Sequence, residues 1–321
     1  MEPFRTKFPK IESSFSINHY TKILCFGSCF ANELFHSLKL KQFQTMFSPF
    51  GICFNPLSLM DQLKNILSNN YISNNDLVYH NGLYHSLVHH GSYSNESEEA
   101  CIKKINEEIQ LTHQYIKEAD YLLITLGSAH YYIYNNTNSI VANCHKIPTA
   151  QFTKQRSNSN EIITAFHSFY EAAKKINKNL KIIFSVSPVR YLRDGFIENN
   201  RSKSILIESV HQLTDQYLDV FYFPAYEIFM DDLREYRFCK PDFVHPSETA
   251  VEYILSYFEN AYMDENTKKI NSKIQDIHSK LSHRPIHPNS ELHKTFLNSI
   301  LEDKVKLEKE YPNINFDWNN S

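Results

Sequence analysis

In this chain, short apolar runs alternate with longer helical patterns. The apolar runs cover residues 23–26, 121–126, 181–186 and 218–223. The helical patterns cover residues 31–40, 56–68, 98–118, 160–176, 202–216 and 247–262. Alternating strands and helices predict an α/β fold, in which a parallel sheet is covered on both faces and functional residues gather at the carboxyl ends of the strands. Two segments interrupt the alternation, and we expect hairpins or loops beside a pocket there, over residues 79–93 and 130–143.

The pattern changes after residue 262. Two charged amphipathic helices are predicted in the C-terminal part, over residues 266–281 and 291–309. Pro285 and Pro288 lie between them and exclude one continuous helix. We therefore expect a main domain over residues 1–262, with a helical extension over residues 263–321 that packs on it.

Charge and cysteine content exclude several classes of protein. The 321 residues include 33 basic and 36 acidic ones, and this balance argues against a nucleic-acid surface or a polybasic membrane anchor. No apolar stretch approaches the roughly 20 residues of a membrane helix, and the first residues lack the apolar core of a secretory signal. The six cysteines are scattered, without a CxxC pair. We expect a cytoplasmic protein with reduced thiols and no nucleic-acid or membrane partner, and the oligomeric state stays open.

The first apolar run leads into the first helical pattern through the turn Gly27-Ser28-Cys29-Phe30-Ala31. Such a turn places a side-chain oxygen or sulfur at the positive end of a helix, which stabilises an attacking anion. Either Ser28 or Cys29 can be this nucleophile. The structural alternative is that Ser28 caps the helix and Cys29 is a small buried residue.

A second motif, Asp242-Phe243-Val244-His245, precedes the last large helical pattern of the main domain. His245 can accept a proton from the nucleophile, and Asp242 can bond the other ring nitrogen and fix its tautomer. Ser247 is a suitable N-cap for the following helix. The alternative is a surface loop with a solvated Asp and His.

An acyl-transfer site also needs hydrogen-bond donors for the oxyanion. The chain has only six glycines, and a retained glycine at the end of an apolar run indicates a positive φ or a close backbone approach. The candidates for the oxyanion site are Gly51, Asn55, Gly127 and Ser128. Asn55 is also a natural N-cap for the helix that opens at Pro56. Arg190 can bind an acidic substrate group or form a surface pair.

A metal site is the other chemistry to consider. Three histidines lie close together in the sequence, at His85, His89 and His90, and the first two are spaced i and i+4. Their segment reads as extended, however, and offers no carboxylate at ligand spacing. Cys144 and His145 are adjacent, and adjacent side chains rarely face each other. We therefore expect no metal and no cofactor.

The turn at residues 27–31 resembles the motif after which the GSCFA family is named. Other segments resemble that family as well: Phe4-Arg5-Thr6, residues 48–56, 126–129, 141–146, 186–190, 236–238 and 241–247, and His283-Arg284-Pro285. The resemblance implies the three-layer, flavodoxin-like α/β/α fold of the SGNH (GDSL-type) hydrolases.

It also implies site roles. SGNH enzymes carry Gly-Asp-Ser at the first turn, so Cys29 takes the place of the nucleophile and Ser28 that of the Asp. Their Asp-x-x-His corresponds to Asp242 and His245, and Gly51 corresponds to their second-block glycine. Their third block is Gly-x-Asn, whereas this chain has Gly127, Ser128 and Ala129. Ser128, Asn55 or His130 are the candidates to replace the missing donor.

The combined expectation is an acyl-ester hydrolase that works through a covalent acyl-enzyme, with an O-acetyl ester on a carbohydrate as substrate. One alternative is an O-acyltransferase with a cysteine nucleophile, since a thioester passes its acyl group readily to a hydroxyl. Another is a non-catalytic carbohydrate-binding or scaffold protein that has kept the fold.

Overall fold

The structure is a computed structural model that describes residues 5–282, 286–287, 289–314 and 316. Its first elements are β1 (Lys22–Gly27), α1 (Cys29–Leu40), β2 (Gln44–Phe47), α2 (Pro56–Leu67), β3 (Leu77–His80), β4 (Leu83–Ser86), α3 (Glu98–Ile116), β5 (Tyr121–Leu126), β6 (His130–Tyr134) and β7 (Ser139–Val141). Then follow β8 (Phe152–Arg156), α4 (Ser159–Ile176), β9 (Lys181–Val186), α5 (Phe196–Gln216), β10 (Val220–Phe223), α6 (Ala225–Glu227), α7 (Glu248–Tyr262), α8 (Glu265–Leu281) and α9 (Glu291–Glu310).

Five parallel strands form the central sheet, in the order β2-β1-β5-β9-β10. By position along the chain this is the 2-1-3-4-5 order of flavodoxin-like folds. The predicted α/β fold and its flavodoxin-like form are confirmed.

Alternate side chains of the strands enter two separate cores, one on each face of the sheet. On β1, Leu24 and Phe26 pack with α2, α3, α4 and α5, whereas Ile23 and Cys25 pack with α1 and α7. Successive residues of a strand point to opposite faces, and both faces are apolar here because both are covered by helices. The result is a three-layer sandwich.

Three elements differ from the sequence-based expectation. β2 was not predicted, because its four residues are all half-buried and lack the continuous apolar run of an inner strand. As an edge strand it pairs with β1 alone. β8 was not predicted either, because its residues are mostly polar and exposed, and α5 starts at Phe196, ahead of the predicted start at residue 202.

The two expected excursions are antiparallel. β3 and β4 form one hairpin, and β7, β6 and β8 form a small three-stranded sheet. A satellite core joins the two, with members Leu87, Tyr134, Val141 and Ile147. Since β6 starts soon after β5 ends, this small sheet stands beside the carboxyl edge of the central sheet.

The C-terminal helices α8 and α9 share a core of their own, composed of Ile270, Ile274, Ile277, Ile300, Leu307, Ile314 and Phe316. The extension reaches the main domain at His278, whose Nε2 lies 3.0 Å from the Leu40 carbonyl oxygen. The boundary at residue 262 stays a prediction. The family-like residues Phe4 and His283-Arg284-Pro285, as well as Pro288, lie outside the described residues. Among the described helices, none has the length and apolarity to cross a bilayer.

One glycine sets the geometry where β1 ends. Gly27 has φ +124°, and a Cβ added there would lie 2.1 Å from the Thr125 carbonyl oxygen on the neighbouring strand β5. The N–H of Ser28 donates to the same oxygen at 3.0 Å. Glycine is therefore required here by both conformation and close approach.

Replacing Gly27 with alanine should destabilise the fold, because the added Cβ has no space and the positive φ disfavours alanine. We expect Gly27→Ala to lower the free energy of unfolding by at least about 2 kcal/mol, or to prevent folding. Urea denaturation measures this. Gly91→Ala is the matched control, since nothing lies within 4 Å of its added Cβ. Equal stability of the two variants would contradict the packing argument.

Candidate active site

The loops at the carboxyl ends of β1, β5 and β9 meet at one edge of the sheet. In a doubly wound sheet, ligands bind at this edge, next to the point where the strand order reverses. Here the reversal lies between β1 and β5. The first turn, with Ser28 and Cys29, therefore lies at the expected position for a functional site.

Ser28 faces inward. Its residue is 1% exposed, and its Oγ has no hydrogen-bond partner among the residues that the structure describes. Ser28 holds the N-cap position of α1 with extended backbone, and its carbonyl accepts the N–H of Ala31 at 2.9 Å. Its side chain makes no capping hydrogen bond. Substrate therefore has no direct access to the Ser28 hydroxyl.

Cys29 is the half-exposed member of the pair and the first residue of α1. Burial raises the pKa of the Cys29 thiol, and the nearby Glu33 carboxylate raises it further. The Cys29 backbone N–H and the Lys240 ammonium lower the pKa of this thiol, but burial is the largest cause. The neutral thiol is therefore the resting form, and a base is needed to activate it.

Asp242 and His245 form the expected pair. The His245 Nδ1 lies 2.6 Å from Asp242 Oδ2, and Asp242 Oδ1 accepts the N–H groups of His245 and Val244 at 3.0 and 2.9 Å. These hydrogen bonds, the backbone ones above all, hold the pKa of the Asp242 carboxyl well below its usual range. The ionised carboxylate can only accept, so the Nδ1–H of His245 donates to it and Nε2 is left as the proton acceptor.

The loop that carries this pair lies near the first turn but does not close on it. Lys240 belongs to this loop and is within electrostatic reach of Cys29. The side chains of Asp242 and His245 are 49% and 41% exposed. Within the described ranges, no hydrogen bond joins the His245 ring to Cys29 or Ser28. The structure thus places Lys240 of this loop within electrostatic reach of the thiol, and a contact between His245 and Cys29 stays a prediction.

The backbone donors predicted for the oxyanion are engaged elsewhere. The N–H of Gly51 donates to the Ser48 carbonyl at 3.0 Å, and those of Gly127 and Ser128 both donate to the Phe54 carbonyl at 2.9 Å. These N–H groups close turns within the scaffold and are not free for a ligand. The oxyanion role of Gly51, Gly127 and Ser128 stays a prediction, and these hydrogen bonds speak against it.

Packing explains why both positions are glycine. A Cβ on Gly51, where φ is +72°, would lie 2.6 Å from the His90 Cβ, and one on Gly127 would lie 2.9 Å from Phe54 Cδ1. The close approach that the glycines indicated is real. This close approach lets neighbouring loops pack against each other.

Asn55 has the capping role that the sequence offered as its alternative. Its Oδ1 accepts the N–H groups of Leu57 and Ser58 at the start of α2, at 2.8 and 3.1 Å. Its Nδ2 donates to the carbonyls of His130 and Ala129 at 3.0 and 3.4 Å. With both ends of the amide bonded, Asn55 does not replace the missing family Asn.

His130 and the Ser128 hydroxyl bond each other, with His130 Nδ1 3.4 Å from Ser128 Oγ. On its other side, His130 Nε2 lies 3.6 Å from Glu198, and burial lowers the pKa of the His130 imidazole. Both groups therefore belong to a network beneath the site. At the start of α1, the N–H groups of Cys29 and Phe30 are further candidate donors for an oxyanion, because the first N–H groups of a helix have no acceptor within it.

The histidines of the β3–β4 segment serve packing. His85 stacks on His145 at 4.6 Å, and its Nδ1 lies 2.6 Å from Ser94 Oγ. His89 stacks on Phe50. Across the part of the chain that the structure describes, no three His, Cys, Asp or Glu side chains converge as a metal site would require.

Models of two known protein families match most of the chain. The model of the GSCFA family matches residues 22–258, and that of the "GSCFA domain protein, C-terminal domain" matches residues 274–318. The chain belongs to the GSCFA family. Among curated proteins, none matches it.

The solved structures that are similar to this GSCFA protein include three esterases. A carbohydrate esterase family 3 protein from Talaromyces cellulolyticus is 10% identical, with 80% of this chain and 99% of that chain covered and a TM-score of 0.36. An acetyl esterase, solved as a Ser-to-Ala mutant with an acetate ion, is 11% identical, with the same coverage and a TM-score of 0.36. An acetyl xylan esterase from the rumen bacterium Butyrivibrio proteoclasticus is 13% identical, with 75% and 64% covered and a TM-score of 0.38.

Two basic residues of the GSCFA protein have partners at this edge that the sequence did not indicate. Arg190, expected at the substrate, donates from Nη2 to the Phe243 carbonyl at 2.6 Å. Lys203 was missed. It is 2% exposed, and its ammonium donates to the carbonyls of Gly127 and Ser187 at 2.9 and 2.7 Å. The sequence spacing could have indicated its burial, since residue 203 lies on the apolar face of α5 with Leu206, Val210 and Leu213.

The raised pKa of Cys29 predicts slow alkylation by iodoacetamide near neutral pH. The labelling rate should keep rising with pH beyond about pH 9, where a free thiol is already mostly ionised. Peptide mass spectrometry separates Cys29 from the buried Cys25, Cys53 and Cys101, which should stay unlabelled in the folded protein. A Cys29 rate that is already at its plateau at pH 7 would show a stable thiolate and contradict this electrostatic description.

Proposed function

We propose that this GSCFA protein hydrolyses acyl esters through an acyl-enzyme on Cys29. The observation that carries the proposal is the Asp242–His245 pair, bonded at 2.6 Å on a loop that reaches Cys29 electrostatically through Lys240. A half-exposed thiol at a helix start, a histidine with a free Nε2 and a carboxylate that orients it are the three parts of a nucleophile–base–orienter set.

In the first half-reaction, the His245 Nε2 takes the proton from the Cys29 Sγ as the sulfur attacks the ester carbonyl carbon. The new C–S bond gives a tetrahedral intermediate whose oxyanion accepts hydrogen bonds from the N–H groups of Cys29 and Phe30. Collapse breaks the bond to the leaving alcohol, and the alcohol oxygen takes the proton back from His245. The product is a thioester on Cys29.

In the second half-reaction, His245 takes a proton from water, and the water oxygen attacks the thioester carbonyl carbon. The C–S bond then breaks, the carboxylic acid leaves, and His245 returns its proton to the sulfur. An alcohol that replaces this water would give acyl transfer. Asp242 keeps its negative charge throughout and stabilises the imidazolium that forms in both halves.

The proposal requires the His245 ring to move within hydrogen-bond reach of the Cys29 Sγ. Catalytic hydrogen bonds in substrate-free proteins are often long and tighten when substrate binds. The exposed position of the ring leaves it room to turn toward the thiol. As substrate we propose an O-acetyl ester on a carbohydrate, an expectation that comes from the resemblance to SGNH hydrolases.

Hydrolysis of p-nitrophenyl acetate tests the nucleophile and the base. Cys29→Ala and His245→Ala should each lower kcat/KM by about a thousandfold, because each removes a bond-making or proton-transferring group. Ser28→Ala should remain at least tenfold more active than Cys29→Ala. Only the loss of the nucleophile should lower kcat/KM by the full factor of about a thousand. Cys239→Ala is the matched control, as a second half-buried cysteine outside the turn.

The same assay identifies the alternatives. Activity that survives in both Cys29→Ala and His245→Ala would overturn the mechanism, and loss in Ser28→Ala alone would transfer the role to the serine. A panel of acetylated sugars and xylan, with acetate release as readout, tests the substrate class. If the protein hydrolyses p-nitrophenyl acetate but releases no acetate from any sugar, the carbohydrate substrate is wrong and the acyl-enzyme mechanism stands.

Asp242→Asn tests the orienting role. The asparagine amide is uncharged, so it stabilises the imidazolium less and favours the wrong imidazole tautomer. We expect kcat to fall by about a hundredfold to ten-thousandfold. KM for p-nitrophenyl acetate should change little, since the residue does not touch the ester. Unchanged kcat would show that the 2.6 Å pair has no part in catalysis.

A further inference from the structure

The loop that carries the Asp242–His245 pair is rigid in itself. Asp242 Oδ1 binds two backbone N–H groups of the loop, the Lys240 N–H donates to the His245 carbonyl at 2.7 Å, and the Phe243 N–H donates to the Lys240 carbonyl at 2.9 Å. Phe243 has φ +56°, which the tight turn imposes on a non-glycine residue. A loop built this way moves as one unit, so its position depends on what holds it from outside.

Arg190 holds this loop. Its Nη2 donates to the Phe243 carbonyl at 2.6 Å, and its backbone N–H donates to the Val244 carbonyl at 3.4 Å. Both acceptors lie between Asp242 and His245. Arg190 therefore binds the main chain between the base and its orienter, and among the described residues no hydrogen bond or ion pair joins it to either of their side chains.

Lys203 fixes the segment from which Arg190 projects. Arg190 follows β9 closely, and Ser187 at the end of β9 accepts a hydrogen bond from the Lys203 ammonium at 2.7 Å. The same ammonium donates to Gly127 at the end of β5 at 2.9 Å. Burial lowers the pKa of the Lys203 amine to about 7. This one buried group thus ties two strand ends together beneath the site.

Tyr226 of α6 joins the two basic residues. Its ring centroid lies 5.5 Å from the Lys203 ammonium. Burial and the neighbouring Glu227 raise the pKa of the Tyr226 phenol, whereas Arg190 lowers it, which places Arg190 within electrostatic reach. Arg190, Lys203 and Tyr226 therefore form one cluster, which we call the loop-support cluster.

We propose that Arg190 and Lys203 are positioning residues for the Asp242–His245 pair: Lys203 fixes the end of β9, and Arg190 extends that fixed point to the main chain of the loop. The inference rests on the proposed function for its effect on catalysis. Its effect on loop order is independent of any activity. Loss of either contact should let the imidazole move relative to the Cys29 sulfur, and small displacements of a catalytic group are costly.

Arg190→Met removes the guanidinium and keeps the apolar stem, so it is the variant of choice. We expect kcat for p-nitrophenyl acetate to fall about tenfold to a hundredfold, with KM changed by less than about threefold. Arg190→Lys retains a donor and should recover part of kcat, which a purely steric role would not produce. Lys203→Met should lower kcat and also the unfolding temperature, because two buried carbonyls lose their donor.

Hydrogen–deuterium exchange gives the readout that does not depend on turnover. In Arg190→Met, the amides of Lys240 and of residues 242–245 should exchange faster, while those of β1 and α1 keep their wild-type rates. Arg234→Met is the matched control, since Arg234 is exposed and makes no hydrogen bond or ion pair within the described chain. It should change neither kcat nor exchange.

The two proposals fail in different ways. Wild-type kcat together with wild-type exchange of Lys240 and of residues 242–245 in Arg190→Met would overturn the positioning inference and leave the acyl-enzyme untouched. A wild-type protein without esterase activity would overturn the proposed function. In that case the exchange comparison alone decides whether Arg190 and Lys203 hold the loop: faster exchange supports it, and unchanged exchange rejects it.

Discussion

The contact between Gly27 and the Thr125 carbonyl determines the geometry of the whole candidate site. It brings the end of β1 against β5 more closely than any side chain would allow, and the same oxygen receives the Ser28 N–H. Ser28 is thereby turned into the protein, and Cys29 becomes the first residue of α1 at the open edge of the sheet. This backbone constraint is the reason why we propose Cys29, and not Ser28, as the nucleophile.

The fold was predictable where burial is complete. β1, β5 and β9 are inner strands with apolar residues on both faces, so each reads as a continuous run. β2 and β8 could not be predicted from the sequence, because a half-buried edge strand and a polar outer strand contain no such apolar run. The order of the strands is a tertiary fact, and it came from the family resemblance because alternation alone allows several orders.

The site was predictable where its interactions are local. The Asp242–His245 bond spans three residues and the Asn55 cap two or three, so spacing alone indicated them. The donors of Gly51 and Gly127 could not be judged this way, since backbone N–H groups look equally free in any sequence. The role of Lys203 depends on two carbonyls more than ten residues away, and only the three-dimensional structure brings them together.

The central claim is a covalent acyl group on the Cys29 sulfur. Its most direct test is to mix the wild-type protein with p-nitrophenyl acetate, quench in acid during turnover and examine the peptides by mass spectrometry. We predict an acetyl group on the peptide that contains Cys29, with fragment ions that locate it on the cysteine, and its release by hydroxylamine as a thioester. Turnover with no acetyl adduct, or with the acetyl group on Ser28, would contradict the account.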